Sequence, residues 1–256
     1  QDQLEFVERI SRKKMKFIMG NEFGSINRIS TSGTNRADIS KRAVSLAGEN
    51  PGFMGLLYDE SEHQQLHPGI YDEEILEGLD FLLYEMGKRN MHAVLYLNNY
   101  WQWSGGMAQY NEWAGEGHIP DPDNPDEGYS PFMLYSGKFY RNEKAKEYFL
   151  DYVKMIVTRK NKFNGKYYFE DTAIMAWELA NEPRPGRGEE SLQYIDYYYK
   201  WIDETAAYIH KLDPNHLVTT GNEGLAGSIG NAEVFLKSHE SKNIDYVTIH
   251  LWIKNW

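Results

Sequence analysis

The stretch Ala173-Ile-Met-Ala-Trp-Glu-Leu-Ala-Asn-Glu-Pro183 reads as a buried strand that ends abruptly in polar residues. As far as Ala180 it is mostly apolar on both faces, the composition of a strand covered on both sides. Pro183 stops it, because proline lacks a ladder donor. The Glu182 carboxyl is thereby delivered to the end of the strand, with the Asn181 amide beside it.

Working outward, the same alternation repeats. Residues Glu73 to Asn90 place Ile75, Leu76, Leu79, Leu82, Leu83 and Met86 at helical spacing and feed a short apolar run from His92 to Asn98. Ala145, Tyr148, Phe149, Tyr152, Val153, Ile156 and Val157 line one face of a second helix that leads into Ala173–Ala180. A third helix, roughly Ser191 to Leu212 and closed by Asp213-Pro214-Asn215, precedes Leu217-Val-Thr-Thr220. A short fourth helix near Ala232 to Ser238 precedes Tyr246 to Trp252. Upstream, Lys16–Met19 and Ala43–Ala47 are the candidates for strands one and two.

Strands apolar on both faces and separated by helices belong to a parallel sheet with helical covers. A doubly wound open sheet meets that description too. Each strand here, however, ends in polar or aromatic residues followed by a loop, where a (β/α)8 TIM barrel keeps its active site. With 256 residues and nothing resembling a linker between residues 13 and 256, a single barrel domain over residues 1–256 is the expectation.

A hydrophobic fraction of 41% and a charged fraction of 25% are those of an ordinary folded domain. The net charge of −11 argues against nucleic acid or anionic membranes as partners. Cysteine is absent, which excludes disulfide scaffolds, cysteine metal sites and thiol catalysis. No run of 18 apolar residues spans a membrane. The chain opens at Gln1 without a charged and apolar leader, as in a mature secreted, cell-surface or periplasmic protein or a trimmed chain. Aromatics at 14% gather in loops as well as in core-like runs, which suits a sugar-stacking surface and a bulky core about equally. His63 and His67 stand at i, i+4, but the Glu that follows the first His in a zincin helix is missing, so neither metal nor cofactor is expected.

Three motifs carry the chemistry. Trp177-Glu-Leu-Ala-Asn-Glu-Pro183 supplies a carboxylic acid, and glycosidic cleavage uses two, one to protonate the leaving oxygen and one to attack or to activate water. In Leu95-Tyr-Leu-Asn-Asn-Tyr-Trp-Gln-Trp-Ser-Gly-Gly106, followed by Trp113-Ala-Gly115, Trp101 and Trp103 offer flat faces to sugar rings. Asn98 and Asn99 offer donors and acceptors for hydroxyls. In Asp245-Tyr-Val-Thr-Ile-His-Leu-Trp252, period two puts His250 and Trp252 on one face.

Together these resemble glycoside hydrolase family 5 endo-β-1,4-mannanases from about residue 69 to residue 256. The resemblance implies retaining hydrolysis of β-1,4-mannosidic bonds in β-mannan or mannooligosaccharides, without a cofactor or metal. It implies Glu182 as general acid/base at the end of the family's fourth barrel strand, served by Asn181, His250 and, on the second strand, Arg42. It places Trp101, Trp103, Asn98, Asn99, Arg184, Glu223, Trp252 and Trp256 along the substrate. Six strands are counted where a closed barrel takes eight, so the family's seventh and eighth strands, and the nucleophilic Glu on the seventh, are expected beyond Trp256. Alternatives are an endoglucanase-like β-glycanase on the same barrel, or a noncatalytic mannan-binding barrel lacking its nucleophile.

Glu178 carries a separate expectation. Period two puts it on the face of Glu182, inside the barrel, at about 13 Å depth for a rise of about 3.3 Å per residue. A carboxylate there needs a partner, Arg42 or another inward donor; the alternative is a bulge that returns it to solvent.

Overall fold

The computed structural model describes residues 65–102 and 105–250. Arg42, Trp103, Trp252, Trp256 and the two candidate N-terminal strands lie outside them. An antiparallel hairpin, β1 (Gln65–His67) with β2 (Ile70–Tyr71), leads into helix α1 (Glu73–Lys88). Then come β3 (Ala93–Tyr96), α2 (Gly106–Trp113), α3 (Tyr129–Gly137), α4 (Glu143–Val157), β4 (Ile174–Glu178), α5 (Ile195–Leu212), β5 (Leu217–Thr219) and α6 (Ala232–Ser238).

Strands β3, β4 and β5 form one parallel sheet in that order, with Tyr96 opposite Glu178 and Trp177 opposite Val218. Each crossover is helical, as a parallel pair requires. Helices α1, α4 and α6 begin at side-chain caps. Asp72 accepts from the amides of Glu74 and Ile75 at the start of α1, and Asn142 accepts from Ala145 at the start of α4. The amphipathic faces anticipated from spacing are the buried ones: Leu76, Leu82, Leu83 and Met86 in α1, and Phe149, Val153, Ile156 and Val157 in α4.

One polar contact fixes α1 against the segment between α4 and β4. Asp80, wholly buried, accepts from Arg159 at 3.0 and 2.8 Å and from the Tyr168 hydroxyl at 2.7 Å. Its charge is matched, so burial is tolerated.

The structure corrects the expected elements in four places. The hairpin β1–β2 was not anticipated; the Gln65 side chain is buried there because it accepts the Tyr110 hydroxyl at 2.7 Å. Helices α2 and α3 were not anticipated either. Helix α2 starts from Gly105 at φ 78°, and α3 buries Phe132, Met133 and Tyr135 without a clear polar face. Their order comes from tertiary packing, since each fully buried large apolar side chain contributes about 1.5–3 kcal/mol. The third expected helix opens as a 3-10 turn, Glu189–Tyr194. The strand expected from Tyr246 is reduced to isolated bridge pairing, with a parallel bridge between Thr219 and Tyr246 in place of a continuous ladder. Side chains supplement the remaining backbone bonds: the Asp245 carboxylate accepts from the Val218 amide at 2.8 Å, and the Thr219 hydroxyl donates to the Tyr246 carbonyl at 2.9 Å.

Candidate active site

The C-terminal ends of β3, β4 and β5 converge on Glu182. Beyond β4 the chain stays gripped on both sides. The Asn181 amide donates to the Asn98 carbonyl at 2.9 Å, the Tyr100 amide to the Asn181 carbonyl at 3.1 Å, and the Glu182 amide to the Gly221 carbonyl at 3.0 Å. In this clamp Glu182 adopts φ 53°, the left-handed region that a non-glycine residue rarely enters. Backbone of this kind costs about 1–3 kcal/mol and persists only where its surroundings impose it. Gly221, at φ 79°, is the counterpart: a Cβ there would stand 1.9 Å from the Ala180 carbonyl oxygen and 2.6 Å from the Glu178 Cγ.

The Glu182 carboxyl is held at both oxygens. His250 Nδ1 lies 2.7 Å from Oε1, and the Trp101 indole N–H donates to Oε2 at 2.7 Å. With Glu182 ionised, Nδ1 carries the proton and donates. Only 8% of the residue is exposed. Burial pushes the carboxyl up, but the bonds and charge of His250, the Trp101 donor and the nearby Arg184 outweigh it and hold the group below the usual range.

A second carboxyl sits beside the first. Glu223, 3% exposed, is ion-paired with Arg184 through Nε. Burial and the Glu182 charge push it above its usual range, against the pull of Arg184. The Arg184 guanidinium lies 4.8 Å above the Trp101 ring, and the His250 amide donates to the Glu223 carbonyl at 3.2 Å. Glu182, Trp101, Arg184, Glu223 and His250 therefore form one connected cluster.

Of the residues singled out by sequence, Asn98, Asn99, Trp101, Asn181, Glu182, Arg184, Glu223 and His250 come together here. Asn99 Oδ1 accepts the Trp101 amide at 3.1 Å, fixing the turn that presents the indole. Asn98 Nδ2 and Asn181 Oδ1 are buried with no hydrogen-bond partner among the described residues, and such groups mark where further partner atoms belong.

Trp101, expected to stack on a sugar ring, has a further role in the structure. The residue is 8% exposed, one ring face is covered by Arg184, and Tyr100 and Tyr129 meet the ring edge-on. Its N–H donates to Glu182 Oε2, so it also holds the acid. Glu178 is buried at 2% exposure, which disposes of the solvent alternative. It lies against Gly221, and its charge, after burial itself, pushes the Tyr246 hydroxyl up. Its suggested partner Arg42 is outside the described residues.

Sequence reading missed a group behind the site. Thr220, Asn222, Tyr198 and His239 are all buried and hydrogen-bonded to one another or to the backbone beside Glu182. Only the run of small and polar residues after β5 hinted at a structured turn.

Residues 39–256 match the model of the GH family 5 beta-mannosidase-like family. Mannan endo-1,4-beta-mannosidase 1 of Arabidopsis thaliana is 35% identical over 205 residues, which is 75% of this chain and 45% of that protein. Mannan endo-1,4-beta-mannosidase 5 of Solanum lycopersicum is 34% identical over 206 residues, with the same coverage, 75% and 45%. The chain thus spans a little under half the length of these relatives. A glycoside hydrolase family 5 mannosidase from Rhizomucor miehei superposes with a TM-score of 0.73 at 31% identity, covering 94% of this chain and 59% of that one. The endo-beta-1,4-mannanase from Thermotoga petrophila gives 0.68 at 25% identity, covering 94% and 53%. With β3, β4 and β5 as an arc of a (β/α)8 barrel, the chain belongs to the glycoside hydrolase family 5 beta-mannosidase-like family.

Proposed function

We propose that the protein hydrolyses β-1,4-mannosidic bonds in mannan-type polysaccharides with retention of configuration, Glu182 serving as general acid and then general base. The observation that carries this is the Glu182 carboxyl itself, set at the end of β4 in a left-handed conformation and held by donors from the ends of two other segments. Strain and convergent donors on one buried acid are what a positioned proton-transfer group requires. The choice of mannan rests on the named activities of the relatives and on a mannosyl-fructose complex of the Rhizomucor miehei mannosidase.

In the first step protonated Glu182 gives its proton to the glycosidic oxygen as that bond breaks, while a second carboxylate bonds to the anomeric carbon. In the second, ionised Glu182 takes a proton from water, whose oxygen displaces the carboxylate. Among the described residues no carboxylate is assigned the nucleophile's part, because Glu223 comes from the neighbouring strand and is engaged by Arg184. The partners described here favour ionised Glu182, the base form. A like charge about 5 Å away adds the upward push that the acid form needs.

The stereochemical course tests this reading. Proton NMR of mannooligosaccharide digests is expected to show the β-anomer of the new reducing end first, with the α-anomer growing only by mutarotation. First appearance of the α-anomer overturns retention, and cleavage of cellooligosaccharides with mannooligosaccharides left intact overturns the substrate.

A further inference from the structure

We infer that His239 and Thr220 are positioning residues for Glu182, acting from outside the barrel through the turn that follows β5; the inference rests on the acid/base reading of Glu182. His239 caps helix α6 and is 7% exposed, and Thr220 is fully buried. His239 Nδ1 lies 2.8 Å from the Phe235 carbonyl, so Nδ1 carries the ring proton. Nε2 is then an acceptor and takes the Thr220 hydroxyl proton at 2.8 Å. That fixes the direction of the hydroxyl, whose oxygen in turn accepts the Asn222 amide at 3.1 Å.

From this anchored turn two arms reach the residues on either side of Glu182. One is backbone: the Thr220 carbonyl accepts the Ala180 amide at 3.4 Å, and the Gly221 carbonyl accepts the Glu182 amide at 3.0 Å. The other runs through side chains: Asn222 Nδ2 donates to the Tyr198 hydroxyl at 3.1 Å, and that hydroxyl donates to the Pro183 carbonyl at 3.3 Å. Ala180, Glu182 and Pro183 are thus tied to one turn, and the Thr220–His239 hydroxyl–imidazole bond ties that turn to the end of α6. The strained φ of Glu182 needs such outside support. None of His239, Thr220, Asn222 or Tyr198 touches the carboxyl in the described contacts, so their effect is on where it points.

The test compares Thr220→Val, which removes the hydroxyl and keeps the shape, with Thr220→Ser, which keeps the hydroxyl, in the full protein. The expected result is a kcat on mannooligosaccharides about ten- to a hundredfold lower for Thr220→Val, the scale of a remote misplacement. KM should stay within about twofold, and Thr220→Ser should restore kcat to within about threefold of wild type. A crystal structure of Thr220→Val should show the Glu182 carboxyl moved off His250 and Trp101. If Thr220→Val does not fold, His239→Gln and His239→Leu replace the pair, the amide being able to accept the hydroxyl proton. Unchanged kcat in Thr220→Val, equal losses in both variants that follow the folded fraction, or an unmoved Glu182 carboxyl each overturn the inference. Should the wild type leave mannan uncut, the proposed function fails alone, and the position of the Glu182 carboxyl still decides the role of Thr220.

Discussion

Acid should destabilise this fold through His239. Burial holds its imidazole down to about 4, against 6.5 in the unfolded chain, with the Phe235 carbonyl pulling weakly the other way. The folded state refuses a proton that the unfolded state takes, so the stability is fully present above pH 6.5 and drains away as pH falls toward 4. At 1.36 kcal/mol per pH unit the whole effect is about 3 kcal/mol, of which about 2 kcal/mol is already lost at pH 5. Urea unfolding of the full protein and of His239→Gln, each at pH 7.5 and pH 5, isolates this contribution because other titrating groups are common to both. The difference in unfolding free energy between wild type and variant should shrink by about 2 kcal/mol on acidification. A difference that is the same at both pH values refutes the reasoning, for it means that His239 takes up no extra proton on unfolding.

Trp101→Phe keeps most of the bulk but removes the donor to Glu182 Oε2, a charge-assisted bond worth about 1.5–3 kcal/mol. The carboxyl then ionises less readily, and the alkaline limb of kcat/KM, where the acid form is lost, should move to higher pH; a limb that stays in place contradicts the assignment. Gly221→Ala would force a Cβ against the Ala180 carbonyl at positive φ, and a loss of about 3 kcal/mol or more is expected, read as a large fall in melting temperature or as insoluble protein. Asp80→Ala strands the 9% exposed Arg159 without its principal partner, so urea unfolding should register a loss of about 3–5 kcal/mol. Near-neutral behaviour would show that Glu73, which also contacts Arg159, suffices.

Much of the fold was legible because its helices are striped. Leu76, Leu83 and Met86 in α1, or Phe149, Val153 and Ile156 in α4, recur at the spacing that packing on a sheet demands, and the strands between them are mostly apolar. Helices α2 and α3 were not legible. Helix α2 opens on two glycines, which disfavour a helix, and α3 is buried over too much of its circumference to leave a stripe. The strand from Tyr246 was legible as an apolar run, but not the carboxylate and hydroxyl that supplement its backbone bonds.

At the site, the Asn-Glu-Pro ending announced Glu182 because Pro183 must terminate a strand. The left-handed turn at Glu182 was hidden, since nothing in a glutamate's identity favours it. The flat face of Trp101 is legible in sequence, but the bond of its N–H to Glu182 is not. A sequence states what a side chain offers, and only packing states which part is already taken. His239 is inconspicuous in sequence for the same reason, a lone histidine at a helix end whose partner lies on another segment.

The central claim, proton transfer by Glu182, is met most directly by kinetics of Glu182→Gln on two substrates, mannan and an aryl β-mannoside whose leaving group needs no protonation. The account predicts turnover of mannan lowered by about a thousandfold or more. It predicts glycosylation by the activated mannoside to survive, release of the intermediate to become slow, and added azide to restore turnover as the β-mannosyl azide, because azide needs no base. Mannan turnover near the wild-type rate, or equal losses on both substrates with no response to azide, would contradict it.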